Sequence, residues 1–291
     1  LSTILWGSYP LWYRPLQNID ATDVLAFRVI GSAIFVLIFI RVIHHVSWHD
    51  VKQLLRHKKP LGIVTASALV TAIWWLTYIY AVKHSLVLEA SLGYFISPIV
   101  SVFLGYLLFK ERPDGTQWLA IFITFIAIAN LMLTLQEVPW VTIIIGVCFS
   151  LYAAIRKGES IKPLPGLAAE CLLLLPFALL FIGTQAATSE SASYASISYI
   201  QWGLLIAVGL ISVLPLWWYS IAAQNLALTS LSFFQLIPPT CNFLFALFLF
   251  NETFTNSHLV TFSLIWIASV VYLVSKLELL TQPPQTEGEK T

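Results

Sequence analysis

Charged residues are scarce in this chain of 291 residues. Only 10% are Asp, Glu, Lys or Arg, whereas 58% are hydrophobic, and the mean hydropathy is +0.84. Soluble domains carry about 25% charged and about 45–50% apolar residues. The deficit in charge is too large for a surface that faces water. The composition therefore excludes an ordinary soluble domain and indicates an integral membrane protein.

Signatures of common enzymatic and metal-binding chemistry are also missing. The chain has no G-x-x-x-x-G-K-[ST], no H-E-x-x-H and no G-x-S-x-G sequence. Its three cysteines lie far apart inside apolar runs and are interpreted as small apolar core residues. We therefore expect no enzyme, no cofactor and no metal site. The net charge of +1 also argues against nucleic-acid binding.

What the chain does contain is a series of long apolar runs. Crossing the hydrocarbon core takes about 20 mostly apolar residues per helix, and these runs are too long and continuous for the strands of an outer-membrane barrel. They cover residues 1–16, 22–43, 60–82, 86–109, 116–135, 139–155, 166–184, 199–222, 227–250 and 256–275. The sequence predicts an all-α integral membrane protein with ten transmembrane helices. The first run starts without a methionine or a basic segment, so we expect a first helix lacking its initial residues and not a cleavable signal peptide.

Lysine and arginine are distributed unevenly between the two sides of such a bundle. Short loops rich in these residues stay in the cytoplasm. The side with both termini carries Arg41, Lys52, Arg56, Lys58, Lys59, Lys110, Arg112, Arg156, Lys157, Lys162, Lys276 and Lys290, and the other side carries Arg14 and Lys83. We therefore expect both termini in the cytoplasm. The basic connector 47–59 is expected to contact anionic headgroups of membrane lipid.

The sequence repeats itself at an offset of 141 residues. Polar and proline positions coincide, which chance similarity between apolar helices does not explain. The aligned pairs include Tyr78 and Tyr219, Ser91 and Ser232, Pro98 and Pro239, and Glu111 and Glu252. Each half holds five spans, and because this number is odd the second half enters the membrane from the opposite side. The predicted units are a first repeat over 1–137, an inverted repeat over 138–276 and a disordered cytoplasmic tail over 277–291.

Inverted repeats of this kind indicate a class of function. In secondary transporters one unit moves against the other and exposes a central site to each side of the membrane in turn. The repeat therefore predicts a carrier that works by alternating access. A membrane receptor or assembly subunit that does not transport is the alternative, and a membrane-embedded enzyme would need a catalytic constellation that the sequence lacks.

Segments from both halves resemble a known family. They are LWGSYPLWYRPL at 5–16, AFRVIGS at 26–32, VLEASLGYFISPIVSVFLGYLLFKER at 87–112, LPLWWYSIAA at 214–223, LIPPTCNFLFALFLFNE at 236–252 and FSLIWIASVVY at 262–272. Over nearly its whole length the chain resembles the drug/metabolite transporter superfamily, EamA type, and most closely its RarD subfamily. The resemblance implies a ten-helix carrier of the bacterial inner membrane, with a central cavity built from both halves.

The resemblance also implies a range of solutes. RarD members are labelled chloramphenicol-sensitivity or permease-like proteins, and related carriers export amino acids or other metabolites. We therefore expect a secondary active transporter that exports a small organic solute, with protons as the candidate coupling ion and the oligomeric state left open. Phe27 stands where the family pattern has a histidine before Arg28. A proton relay through that histidine cannot apply to this chain.

Two charged residues lie well inside predicted spans, Arg28 in the second and Glu170 in the seventh. Intramembrane charges are costly and usually face a cavity or a partner. Arg28 is interpreted either as a cavity residue that attracts a carboxylate or as a side chain that snorkels to the outer interface. Glu170 is interpreted either as the site of a cationic group or proton, or as the structural partner of an inner-loop lysine or the backbone. We expect the two residues in opposite leaflets, roughly 12 Å apart in depth and without a salt bridge.

Three further glutamates lie near the ends of predicted spans. Glu89 starts the fourth span, where a carboxylate favours the helix N-terminus electrostatically, with a gating role as the alternative. Glu111 and Glu252 are interpreted as anchors at the ends of the fourth and ninth spans.

Prolines interrupt these same two spans at Pro98, Pro238 and Pro239. Proline frees backbone carbonyls within the membrane, which cavity walls and helix contacts can use. Both hinges and static kinks that shape a cavity fit this pattern. The polar candidates for the cavity lining are Ser91 and Tyr94, which share a helical face, and their counterparts Ser232 and Gln235.

Aromatic residues are the remaining candidates for a solute cavity. Residues four apart, such as Trp74 and Tyr78, share a helix face that can stack an aromatic ligand or hold a cation. Plain packing and an interfacial aromatic belt are the alternatives. The aromatic candidates are Trp6, Tyr9, Trp74, Tyr78, Tyr152 and Trp218.

Overall fold

Nearly all of the described chain is helical. The structure, a computed structural model, describes residues 1–42, 48–110, 112–135, 138–157, 161–187, 194, 197–225 and 237–281. The helices in these ranges are α1 (Ser2–Gly7), α2 (Tyr9–Tyr13), α3 (Ala21–Val42), α4 (Trp48–Arg56), α5 (Lys58–Lys83), α6 (Val87–Phe109), α7 (Gly115–Leu135), α8 (Trp140–Lys157), α9 (Pro163–Ala187), α10 (Tyr199–Asn225), α11 (Ile237–Phe248) and α12 (Asn256–Thr281). The described ranges contain no β-strand. The all-α class predicted from the sequence is confirmed.

The lengths and composition of these helices fit a membrane. Helices α3, α5, α7, α9 and α10 are each long and apolar enough to cross one. Helix α6 forms a further span that is bent by 46° between Val87–Ser97 and Ile99–Leu108. Helices α8, α11 and α12 contain shorter apolar stretches. Together with the first run they lie at the ten predicted spans, of which the ninth, 227–250, is described only from residue 237.

The first predicted span is built from short pieces. Helices α1 and α2 meet at Ser8, and a 3-10 turn at Arg14–Leu16 follows. Pro10 lacks the N–H that would continue the helical ladder, and the Ser8 N–H is shared between the carbonyls of Ile4 and Leu5. The first run thus forms two helices and a turn instead of one continuous helix.

The basic connector between the second and third spans contains the amphipathic helix α4. Val51 on this helix is buried, and Asp50 forms an ion pair with Lys162 at 2.9 Å. These contacts pack α4 against the start of α9. The connector is therefore part of the folded structure at this end of the bundle.

The spans pack mainly across the two predicted halves, α1–α7 and α8–α12. The most extensive helix contacts are α6 with α8, α7 with α12, α3 with α10, α3 with α9, α5 with α8 and α6 with α11, and each joins one half to the other. These contacts also follow the repeat. When each helix of a contacting pair is replaced by its counterpart in the other half, the result is again a contacting pair. Helix α1 packs on α10 and α11, as its counterpart α8 packs on α5 and α6. The two halves therefore share one core.

A pair of glycines lets α3 and α10 approach closely. A Cβ atom on Gly209 would lie 2.2 Å from the carbonyl carbon of Gly31, so the two backbones leave no room for a side chain. Ser32 donates its hydroxyl to the Gly209 carbonyl at 3.3 Å. Because Arg28 lies one turn before Gly31 on α3, this crossing fixes the position of the buried arginine.

Candidate functional site

A small cavity lies between the two halves of the protein. It is lined by Trp6, Trp74, Tyr94, Ser97, Phe149, Pro238 and Pro239. Trp74 donates its indole N–H to the Tyr94 hydroxyl at 2.9 Å, and the Phe149 ring packs on Trp74 at a centroid distance of 5.1 Å. The space open to the centres of water-sized molecules is only about 20 Å³, room for about one water. In this conformation the described residues close the cavity to an organic solute.

A layer of tyrosines separates this cavity from a buried charge. Its members are Tyr9, Tyr13, Tyr78 and Tyr94, with neighbouring ring centroids 5.9–6.0 Å apart. Two of the hydroxyls donate to the second half. Tyr9 reaches the Ile211 carbonyl at 3.1 Å and Tyr78 reaches Asn242 Oδ1 at 3.4 Å. The tyrosine layer therefore belongs to the interface between the halves.

Arg28 lies behind the tyrosine layer and is enclosed by protein, with 2% of its surface exposed. Its guanidinium carbon is 3.9 Å from the ring centroid of Trp75, 5.4 Å from that of Tyr9 and 5.6 Å from that of Tyr13. The ion pairs between described residues do not include Arg28. Its Nε atom and the buried Tyr13 hydroxyl have no hydrogen-bond partner in the described part of the chain. The side chain is thus enclosed by protein and held by aromatic rings.

Glu170 on α9 pairs with Arg156. Its Oε1 atom forms an ion pair with the Arg156 guanidinium at 2.8 Å and accepts a hydrogen bond from the Ser67 hydroxyl at 2.5 Å. Its Oε2 atom is buried and has no partner among the described residues. The three residues lie on α9, α8 and α5. This cluster therefore joins the two halves, as the tyrosine layer does.

Helix α8 extends past the predicted span end at residue 155, so Arg156 lies in its last turn. Its side chain is only 19% exposed, and its guanidinium lies 5.4 Å from the ring of Tyr152. Gly166 leaves room for it, since a Cβ atom there would lie 2.1 Å from Arg156 Nη1. An arginine at the end of an apolar run looks like a loop residue in sequence, but its long side chain can turn back into the bundle.

The three proline candidates occupy different positions. Pro98 lies at the bend of α6, whereas Pro238 and Pro239 are buried near the start of the described part of α11. Ser91 donates its hydroxyl to the Pro239 carbonyl at 2.7 Å. The fourth and ninth spans are therefore joined beside the cavity by a hydrogen bond from the first half to the second.

Of the remaining sequence candidates that the structure describes, Trp218 is not among the residues of these clusters. Trp218 is half-buried on α10. Ser232, Gln235 and Glu111 lie outside the described residues.

Several residues of these clusters were not candidates from the sequence: Tyr13, Ser67, Trp75, Ser97, Phe149 and Arg156. Tyr13 lies four residues after Tyr9, so helical spacing could have indicated it. The others carry no comparable signal. Helices that are apolar on all sides have no distinct face from which to read inward-pointing residues.

The Glu252 carboxylate caps the N-terminus of α6. Its two oxygens accept backbone N–H bonds from Val87 at 2.6 Å and Leu88 at 2.8 Å, which satisfies two donors that a helix start leaves unpaired. Burial raises the pKa of Glu252 to about 7, with a smaller upward contribution from Glu89, while the two N–H donors oppose the rise. Glu252 thus anchors the start of the fourth span. Glu89 lies in the first turn of this helix, but Glu252 supplies the cap.

Comparison with known proteins identifies the family. Residues 1–133 match the EamA-like transporter family. An uncharacterized transporter of Pseudomonas aeruginosa is 34% identical over 97% of this chain and 94% of the relative. Protein RarD of Salmonella typhi is 32% identical over 94% of this chain and 92% of the relative. A solved crystal structure shares the fold with a TM-score of 0.59 at 15% identity, and 96% of each chain is covered.

The fold and these similarities define a multi-pass protein of the bacterial inner membrane. The chain belongs to the EamA-like transporter family, within the RarD subfamily of the drug/metabolite transporter superfamily.

Proposed function

We propose that this protein is a secondary active transporter that moves a small organic solute by alternating access, and that it is not an enzyme. The observation that carries the proposal is the aromatic cavity, whose walls come from both halves. A site shared by two inverted units can be exposed to either side of the membrane when one unit moves against the other.

The size of the cavity supports a moving structure. Pockets that hold small organic molecules measure about 300–1,000 Å³, far more than the about 20 Å³ in this conformation. A solute can therefore be bound only when the helices separate. The candidate hinges are three prolines. Pro98 lies at the bend of α6, and Pro238 and Pro239 on α11 line the cavity.

In the proposed orientation both termini face the cytoplasm. The end that carries the Asp20–Lys83 ion pair and the Glu252 cap then faces outward. The units 1–137 and 138–276 are the two moving halves, and 277–291 is a cytoplasmic tail whose first residues, predicted to be disordered, belong to α12 up to Thr281. Transport is proposed to run outward, with amino acids, other metabolites and drugs such as chloramphenicol as the solutes to test.

Glu170 is the proposed site of proton coupling. Arg156 and Ser67 hold one carboxylate oxygen, and the other oxygen has no partner among the described residues. A proton on that oxygen would remove the charge that attracts Arg156, and the contact between α5, α8 and α9 would loosen. Solute flux driven by a pH gradient in proteoliposomes tests this role. Loss of the pH-gradient dependence in a Glu170→Gln variant supports coupling at Glu170, and an unchanged dependence contradicts it.

Counterflow in proteoliposomes tests the transport function itself. Vesicles are preloaded in parallel with aromatic amino acids, other amino acids or chloramphenicol, and uptake of the labelled solute is followed. Trp74→Ala removes a cavity wall, and Trp118→Phe on the surface of α7 is the matched control. Uptake by wild type and Trp118→Phe, with a loss of about 10-fold or more in Trp74→Ala, supports a carrier. Silence of the folded wild type with every solute contradicts it and favours the non-transporting receptor or assembly subunit.

A further inference from the structure

We propose that Arg28 and Tyr13 form an anion subsite that binds the carboxylate group of the transported solute, while the aromatic cavity holds the apolar part of that solute. The inference rests on the proposed transport function, because it assigns the solute of that same site. It goes beyond that function by naming a chemical class, a monocarboxylate with an apolar or aromatic body.

Arg28 carries a charge that no described carboxylate neutralises. A buried cation without an anionic partner is costly, and buried charges in proteins are normally paired. Glu170 neutralises Arg156, the other arginine enclosed in the bundle. Arg28 is paired with no described carboxylate, and its contacts to Trp75, Tyr9 and Tyr13 are with ring faces. Ring faces stabilise a cation only partly.

Arg28 and Tyr13 each supply a hydrogen-bond donor that is unpaired among the described residues, and the two side chains are in contact. Arg28 Nε and the Tyr13 hydroxyl are both buried without a partner in the described part of the chain, and the guanidinium lies 5.6 Å from the Tyr13 ring. A guanidinium offers planar, forked N–H donors that match a carboxylate, and a phenol adds an O–H donor. The nearby Ser212 hydroxyl donates its proton to the Val208 carbonyl at 2.7 Å, so that proton is not offered to a bound carboxylate.

The aromatic cavity is connected to Arg28 through tyrosine side chains that contact one another. Tyr94 lines the cavity and contacts Tyr78, and Tyr78 contacts Tyr13. Contacting tyrosine rings therefore link the two sites. The rings that line the cavity, such as those of Trp6 and Trp74, suit an apolar or aromatic group. When the halves move and the layer parts, a single molecule can place its carboxylate at Arg28 and its apolar part against these rings.

Binding to the purified full-length protein in detergent tests the proposal. The probes are three carboxylates and the amides that lack the carboxylate charge: phenylacetate and phenylacetamide, L-phenylalanine and L-phenylalaninamide, and isovalerate and isovaleramide. We expect wild type to bind at least one carboxylate about 10-fold or more tightly than its amide, because only the carboxylate pairs with Arg28. Dissociation constants are measured by isothermal titration calorimetry.

Variants assign the effect to the subsite. Arg28→Gln should weaken carboxylate binding by about 10- to 100-fold and leave amide binding within about 2-fold. Tyr13→Phe, which keeps the ring and hence the packing, should weaken carboxylate binding by about 2- to 10-fold. Arg14→Gln is the matched control, because Arg14 is an exposed arginine over the Phe250 ring and should leave all constants unchanged.

The outcomes separate the subsite from the transport function. If wild type binds none of the carboxylates, or binds amides equally well, the subsite is overturned. It is also overturned if counterflow of a neutral or cationic solute proceeds equally in wild type and Arg28→Gln, although the carrier function then stands. Carboxylate binding that needs Arg28, in a protein without counterflow, supports the subsite and contradicts transport. Should Arg28→Gln not fold, Tyr13→Phe decides by the same comparison of carboxylate with amide.

Discussion

At the scale of single residues, the protein holds the buried Arg28 and the partly exposed Arg156 in different surroundings. Arg156 is neutralised by Glu170 at 2.8 Å, whereas Arg28 lies against three aromatic rings. A paired charge is stable as it stands and costs free energy when one partner is removed. A charge held only by rings keeps the capacity to bind an anion. The first arrangement suits a structural or coupling role, and the second suits solute binding.

The Glu170–Arg156 pair should behave as one unit. Arg156→Gln leaves the Glu170 carboxylate buried without its cation, so we expect a loss of about 3–5 kcal/mol in stability. The double variant Glu170→Gln/Arg156→Gln should lose less than the sum of the two single variants, since neither charge is then left alone. Thermal unfolding in detergent of the four proteins measures this coupling.

The exposed pair Asp50–Lys162 is the matched control for this cycle. Its lysine side chain is 68% exposed, and surface pairs contribute about 0–1 kcal/mol. Additive effects of the two substitutions at Glu170 and Arg156 would contradict a coupled buried pair.

Only some of these buried residues can be recognised in the sequence. Arg28 and Glu170 stand out because a charge within a long apolar run is rare. Their partners do not stand out, because Tyr13 and Trp75 lie in segments rich in aromatic residues and Arg156 lies at the end of a run. Which residues meet depends on how each helix is rotated about its axis. A uniformly apolar helix carries no pattern that reveals this rotation.

At the scale of helices, the crossing of α3 and α10 depends on two glycines. Gly209→Ala would place a Cβ atom 2.2 Å from the backbone of Gly31, so we expect a loss of about 1–3 kcal/mol from overpacking. Gly203→Ala on the same helix is the control, because a Cβ atom there meets no atom within 4 Å. It should be neutral or stabilising by up to about 1 kcal/mol. Equal melting temperatures of the two variants would contradict the close crossing.

The Glu252 cap on α6 should make stability depend on pH. The pKa of Glu252 is about 7 in the folded protein and 4.5 ordinarily. Below about pH 4.5 the residue is protonated in both states. As the pH rises from there to about 7, the unfolded chain releases the proton that the folded protein keeps. Stability should therefore fall through this window and level off above it.

Melting temperatures measured in detergent from about pH 4.5 to pH 8 check this expectation. Glu252→Gln should remove the fall that belongs to this window. Glu89→Gln should lower the upper end of this window, because the Glu89 carboxylate contributes to the raised pKa of Glu252 in the folded protein. Identical pH profiles of wild type and Glu252→Gln would rule out the cap as their cause.

The helices themselves follow closely from the sequence, but their ends and partners do not. Apolar runs of membrane-spanning length predict where the helices lie, because lipid requires every backbone group to be bonded within the segment. The break at Ser8 arises from local hydrogen bonding and Pro10, and run length does not report it. The Glu252 carboxylate reaches a helix start 164 residues away in sequence. A contact of that range cannot be read from local pattern.

At the scale of the whole molecule, the two halves depend on each other. The most extensive helix contacts all run between them, and buried polar contacts such as Ser91 with the Pro239 carbonyl cross the same interface. Either half alone would leave these polar groups exposed to lipid, which is costly. The halves are therefore related units that fold together.

Splitting the chain tests this dependence. Residues 1–137 expressed alone should give no stable, monodisperse protein, because their main packing partners are missing. Coexpression with residues 138–291 should restore a complex with the elution volume of the intact chain in size-exclusion chromatography. A stable, folded first half on its own would contradict the shared core.

The repeat is the feature of the whole molecule that sequence predicts best. An offset of 141 residues aligns prolines and glutamates across the halves, and helix pairs in the structure exchange under the same correspondence. The closed cavity is not predictable, because it depends on how far the halves are apart. In the proposed carrier, one sequence has to allow both an open and a closed arrangement, and the sequence does not say which of the two a structure will show.

The measurement that tests alternating access most directly is a pair of distances followed by electron spin resonance in nanodiscs. One pair of spin labels replaces the exposed residues Ser85 and Thr253 at the proposed outer end, and the other replaces Arg112 and Lys162 at the proposed inner end. Across conditions that favour each orientation, with and without transported solute, one distance should lengthen while the other shortens. Two distances that stay fixed, or that lengthen together, would contradict a carrier that opens to the two sides in turn.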